Sequence, residues 1–335
     1  MGRRSEDKAD DLRAFGELLE PREAVEPILS RNVRGGLLEW LTEIFAAEEL
    51  NALGIGPRKR AIFDGPPGVG KTTLAHHLAA RLGLPLLAVR PESLISKWLG
   101  DTARNIGALF DLAAIGVDAD SDGNGGTPVV LFLDEFDALG HKRRAGTETG
   151  AEDERNAYVN TLLQRLEQHD GFVIAATNFG ESIDPAIWRR FDMHIRLELP
   201  GAFEREQILK RYLAPFGLPA LELKLLSAAF DGASPALMRQ FCEHLKRTIV
   251  IGPKLGQDMA CAAVIGRVVA TVQPHPELGK PPMWATAAAD HARDRAIATM
   301  SWPLPRLDDL PTEPASAIAS GEAIAANVVS LTGRR

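Results

Sequence analysis

Cysteine is scarce: Cys242 and Cys261 are the two cysteines in 335 residues, and they form no C-x-x-C pair. This argues against a disulfide framework or a cysteine-based metal site and favours free thiols in a reducing compartment. Long apolar runs are also missing, so no segment reaches the length that a membrane span requires. The start, Met1-Gly2-Arg3-Arg4-Ser5-Glu6-Asp7, has charge but no apolar stretch, and Glu6 stands where a myristoylation motif needs Ser or Thr. A cytoplasmic protein without a membrane partner is expected. An excess of positive charge is lacking too: 38 Lys and Arg against 45 Asp and Glu give a net charge of −7. Nucleic acid is therefore not an expected partner.

What is present is enough chain for two modest domains, each with its own core. Residues 1–30 are charged and carry Pro21 and Pro27, and read as a helical or partly mobile leader rather than core. Over residues 31–200, apolar runs alternate with helical patterns. Ala61–Asp64, Leu84–Val89, Val129–Leu133, Phe172–Ala176 and Ile195–Leu199 read as strands, while Arg155–Gln168 repeats apolar residues at helical spacing. The fold class is thus α/β with a doubly wound parallel sheet. Residues 201–273 read as a small all-helical domain with helices over Phe203–Leu213, Leu221–Phe230, Pro235–Val250 and Asp258–Thr271. A C-terminal extension, 274–335, carries one possible helix over Trp284–Met300 and then an Ala/Pro-rich tail expected to be disordered. The polar, glycine-rich run Val117–Thr127 reads as a solvated loop; the ligand positions of a calcium loop are missing.

Chemistry concentrates where strands end. Gly65-Pro66-Pro67-Gly68-Val69-Gly70-Lys71-Thr72-Thr73 lies between a strand and a helix with G-x-x-x-x-G-K-T spacing. Glycines leave backbone N–H groups free to wrap phosphates, and the positive end of the following helix faces the same charge. Lys71 is placed to reach the β- and γ-phosphates of a nucleoside triphosphate and Thr72 to hold Mg²⁺. The run Val129–Leu133 ends in Asp134 and Glu135. Asp134 suits the Mg²⁺ hydration shell and Glu135 the attacking water. Asn178, after Phe172–Thr177, offers an amide for the water or the γ-phosphate.

In order, these segments resemble the AAA+ ATPases: Gly65–Thr73 matches the Walker A motif, Leu131–Glu135 Walker B, and Ala175–Asn178 sensor 1. The resemblance spans roughly residues 30–270. It implies that Arg189 and Arg190, in Asp184–Asp192, are arginine fingers acting on a neighbouring subunit's nucleotide, so the active form would be a homo-oligomeric ring, usually a hexamer. Asn32-Val33-Arg34-Gly35-Gly36 looks like the family's adenine-side entry loop, and the later helices like its lid. At the sensor 2 position the alignment places Ala236, as in the narrower AAA subgroup; Arg239, one helical turn later, is a sensor 2 candidate or an ordinary surface arginine.

Glu92–Asp101 resembles pore loop 1 of katanin, spastin and their relatives, which implies that Lys97, Trp98 and Leu99 grip an extended protein substrate in a central pore. His141–Glu154 is a candidate second pore loop or a solvated loop. His76 and His77, with no other ligand nearby in sequence, read as packing or surface residues. The expectation is an ATPase that remodels, unfolds or disassembles a partner protein. The alternative is a nucleotide-switched regulator of a partner enzyme's assembly that threads nothing.

Overall fold

A computed structural model of the protein describes residues 9–96, 100–117, 125–140, 150–285 and 291–310. Its centre is a six-stranded sheet in the order β1-β3-β4-β5-β2-β6, formed by β1 (Gly16–Leu19), β2 (Arg60–Asp64), β3 (Leu86–Val89), β4 (Val130–Leu133), β5 (Val173–Thr177) and β6 (Met193–Arg196). β2 to β6 run parallel and β1 is antiparallel to β3. Because the five parallel strands point the same way, Asp64, Asp134 and Asn178 all emerge at one edge of the sheet.

Both faces of the sheet are covered, as a parallel sheet requires. Ile62, Leu131, Leu133, Val173 and Ala175 face one apolar cluster, filled by Ile106, Leu109 and Phe110 from the helix Asp101–Ile115 and by Val159, Leu162 and Leu166 from the helix Gly150–Gln168. Their neighbours Ala61, Phe63, Val130, Phe132, Ile174 and Ala176 face the other, against Leu74, Ala75 and Leu78 of Lys71–Arg81 and Leu37, Trp40 and Leu41 of Arg31–Phe45. The alternation follows from the two-residue repeat of a strand. A third cluster gathers the helices Ala202–Leu213, Ala220–Ala229, Pro235–Ile251 and Cys261–Thr271 around Phe230, Met238 and Phe241.

Four expectations need correction. Residues 9–19 belong to the core rather than to a leader outside it: Leu12 is fully buried in the sheet's core, and Gly16–Leu19 pair with Leu86–Val89 as β1. The run Asn32–Gly36 is not a loop; it forms the first turns of the helix Arg31–Phe45, capped by the Ser30 hydroxyl, which accepts the Val33 N–H at 3.5 Å. The last strand occupies Met193–Arg196 rather than Ile195–Leu199. Past residue 273, the expected long helix is replaced by a short 3₁₀ turn at Pro282–Trp284 and a helix at Ala292–Thr299. That part belongs to the helical cluster: Met283, Trp284, Met300 and Leu304 are buried in it, and Glu222 accepts hydrogen bonds from both the amide and the hydroxyl of Ser301 at 2.7 Å.

Candidate active site

The loop Gly65–Gly70 leads from β2 into Lys71–Arg81. Gly68 and Gly70 have φ of 76° and 99°, a conformation that side chains disfavour. Lys71 is buried and donates all three ammonium hydrogens: to the Gly65 carbonyl at 2.7 Å, the Pro66 carbonyl at 3.1 Å and Asn178 Oδ1 at 2.7 Å. Burial pushes its pKa below the ordinary lysine value, while the charges of Asp134, Asp64 and Asp137 oppose that shift.

Thr72 donates its hydroxyl hydrogen to Asp134 Oδ2 at 3.0 Å, and the other Asp134 oxygen accepts the Glu135 N–H at 2.9 Å. Glu135 itself is exposed and has φ of 47°, the one non-glycine positive φ among the described residues. A side chain in that region costs roughly 1 kcal/mol or more, and such strain persists where the surroundings over-determine it. They do so here: Phe136, fully buried, donates its N–H to the Ala176 carbonyl at 2.8 Å and packs edge-on against Phe191 with centroids 5.6 Å apart.

Lys71, Thr72, Asp134 and Asn178 are thus brought together, with Glu135 beside them, and Thr73 lies exposed on the first turn of the same helix. Arg189 and Arg190 part company. Arg190 pairs with Glu167 of the same chain, whereas Arg189 is exposed with no side-chain partner among the described residues. Arg239 is half exposed and lies 3.8 Å from Glu243, one turn along its own helix. Lys97, Trp98 and Leu99 lie outside the described residues, as does the 141–149 part of the second candidate loop. His76 sits 2.8 Å from the Glu20 carbonyl, and burial lowers the pKa of the half-buried His77.

Three residues near the site were given no role by sequence reasoning. Asp137 accepts the Thr177 hydroxyl at 3.0 Å, and Thr177 Oγ1 accepts the Phe179 N–H at 3.0 Å, which fixes the turn that presents Asn178. Asp64 accepts the Gly180 N–H at 3.3 Å from the other side. A Thr directly before a sheet-edge Asn is the clue that was available in sequence. The phosphate loop also touches the helical unit: Ala236 donates its N–H to the Gly68 carbonyl at 3.1 Å.

Among the described residues no helix is long and apolar enough to cross a membrane, and no three His, Cys, Asp or Glu side chains cluster as a metal site. Comparison with known proteins agrees with the geometry. The profile of the ATPase family associated with various cellular activities (AAA) matches residues 61–199. An uncharacterized AAA family ATPase, y4kL of Sinorhizobium fredii, is 37% identical over 241 residues, covering 71% of this chain and 68% of that protein. A proteasome-activating nucleotidase of Pyrococcus furiosus is 37% identical over 232 residues, covering 64% of this chain and 55% of its own length. The chain therefore spans about half the length of such nucleotidases. In fold it is similar to the crystal structure of the FIGL-1 AAA domain, with a TM-score of 0.58 at 21% identity, covering 88% of this chain and 93% of that one. The matched profile covers every strand and loop that carries the Lys71, Asp134 and Asn178 cluster, and with the y4kL relation it leads to one assignment: the chain belongs to the AAA family of ATPases.

Proposed function

We propose that the protein hydrolyses ATP as a subunit of a homo-oligomeric ring, a hexamer, and spends that energy on remodelling or unfolding a partner protein through the ring's pore. The observation that carries this reading is the interlocked set Lys71, Thr72, Asp134 and Asn178 with Glu135 exposed beside it. The loop's open N–H groups and Lys71 would receive the phosphates, whose oxygens compete with the Gly65 and Pro66 carbonyls for the ammonium. Gly70 has open space where a Cβ would stand, so the backbone can be approached closely. Hard oxygen donors, the Thr72 hydroxyl and the Asp134 carboxylate, fit Mg²⁺, which keeps most of its water and needs no all-protein cage. Bound there, Mg²⁺ would supply charge neutralisation for the phosphoryl oxygens.

Glu135 orients and polarises the attacking water, and Asn178 passes from Lys71 to the water or γ-phosphate, a role of positioning and electrostatics rather than covalent chemistry. Arg189, exposed and without a side-chain partner among the described residues, is the guanidinium suited to reach a neighbouring copy's nucleotide. Lys97, Trp98 and Leu99 would grip the polypeptide. Relatives that include proteasome-activating nucleotidases support action on proteins.

The test is ATP turnover against protein concentration for the wild type, Glu135→Gln and Trp98→Ala, with and without unfolded polypeptides. Turnover that rises cooperatively with concentration, is stimulated by polypeptide, and loses that stimulation in Trp98→Ala is expected. Hydrolysis indifferent to Trp98 would instead favour a nucleotide-switched assembly regulator.

A further inference from the structure

Arg189 follows a single helical turn, Pro185–Trp188. So short a helix has no stability of its own, and its direction comes from what holds it. At the start, Asp184 accepts the Ala186 N–H at 2.7 Å. On the inner side, Ile187 and Phe191 are buried in the sheet's core. On the outer side stands His194, an exposed residue of the edge strand β6. Its ring stacks on the Trp188 indole, centroids 4.5 Å apart and planes 17° from parallel. Its Nε2 lies 3.0 Å from the Trp188 carbonyl; since a carbonyl only accepts, Nε2 carries the proton and donates.

This carbonyl is the last before Arg189, and it also accepts the Phe191 N–H at 3.3 Å. His194 pairs in register with Ile62, three residues before the phosphate loop begins at Gly65. Asp192 adds a second anchor, donating its N–H to the Arg60 carbonyl at 3.0 Å and meeting the Arg60 guanidinium at 3.3 Å. With no side-chain partner among the described residues, Arg189 takes its direction from this backbone alone.

We propose that His194 is a positioning residue for Arg189: by stacking on Trp188 and donating to its carbonyl, it sets the angle at which that guanidinium leaves the surface toward a neighbouring copy's phosphates. This rests on the reading that Arg189 acts in trans. Being exposed, His194 contributes little to the core, so its removal acts on direction rather than on folding. Displacing a catalytic group by about 1 Å can reduce rate up to about a hundredfold.

The experiment uses the full chain with His194→Ala, His194→Phe and Arg189→Ala, measuring kcat and KM for ATP, then mixing each with an excess of Glu135→Gln. His194→Ala is expected to lower kcat about ten- to a hundredfold with KM unchanged. His194→Phe, which keeps the stack and lacks the hydrogen bond, should fall between it and the wild type. Glu135→Gln chains bring an intact Arg189 turn while His194→Ala chains bring an intact Glu135, so mixed assemblies should regain turnover that neither has alone. Wild-type kcat in both His194 variants beside a depressed Arg189→Ala overturns the proposal and leaves the trans reading standing. A loss in His194→Ala that mixing does not relieve also overturns it, because the damage then lies in the variant's own site. Wild-type kcat in Arg189→Ala overturns the trans reading itself.

Discussion

The two sides of the candidate site are built on opposite terms. On the phosphate-loop side the polar side chains are paired within the chain: Lys71 has three acceptors, Thr72 and Asp134 share a hydrogen bond, and Asn178 meets Lys71. Glu135 and Arg189, by contrast, stand exposed, Glu135 in a strained conformation and Arg189 with no side-chain partner among the described residues. A side that is complete by itself can be organised before anything arrives. A side that points outward waits for groups that this chain does not supply, a water and another copy's nucleotide in the proposed reading.

The sharpest way to separate the two sides is Glu135→Gln. It should leave ATP binding intact by equilibrium titration and lower kcat by about a hundredfold or more, the scale of losing a positioned base. Lost binding would mean that the outward acid belongs to the inward side. Next in size is the arginine pair. Arg189→Ala should reduce turnover at least about tenfold without shifting the melting temperature, because it removes charge stabilisation and no internal contact. Arg190→Ala should affect thermal stability, by under about 1 kcal/mol for so exposed a pair with Glu167, and affect turnover less. The reverse ranking would break the comparison.

Gly68→Ala probes the inward side. At φ of 76° the substitution costs about 1–2 kcal/mol, and the new Cβ would stand 3.0 Å from both the Ala236 Cβ and the Ser234 hydroxyl. The expected result is a melting temperature lower by several degrees and weaker nucleotide binding, read by calorimetry and titration. The smallest effect is a control away from the site. Hydrogen bonds from the Arg58 side chain hold the Glu43 carboxyl below its ordinary value, although burial opposes this. A depressed carboxylate stabilises the fold above its unfolded pKa and loses that contribution as pH falls through the folded value. Glu43→Gln should therefore lower the melting temperature slightly at pH 7 and leave it unchanged well below pH 4.5.

The inward side was legible in the sequence because its signals are local: a loop of fixed length between strand and helix, and strands that end in acids. What was missed depends on contacts distant in sequence. β1 is four residues of mixed polarity, and only the facing strand makes Gly16 meaningful, since a Cβ there would lie 2.0 Å from the Ala88 carbonyl. β6 began two residues early because its pairing with β2, not its own apolar run, decides where it sits. Asp192, just before it, donates to Arg60 across that edge. The helix expected over Trp284–Met300 gave way at its start, where Pro281 and Pro282 favour a tight turn and Trp284 Nε1 donates to the Val272 carbonyl at 2.6 Å. The separation of Arg189 from Arg190 had no sequence signal, because Glu167 becomes a neighbour only in three dimensions.

The amide of Ala236 that leans on Gly68 belongs to the first turn of a rod, the helix Pro235–Ile251. Seventeen residues at helical rise make a lever about 25 Å long with its fulcrum on the phosphate loop. A loop adjustment that turned the rod by about 5° would sweep its far end through about 2 Å on that length. Val250 and Ile251 lie at that end, followed by Leu255, all three exposed and apolar. A rearrangement too small to notice at the loop would thus arrive there as a shift comparable to the size of a methyl group.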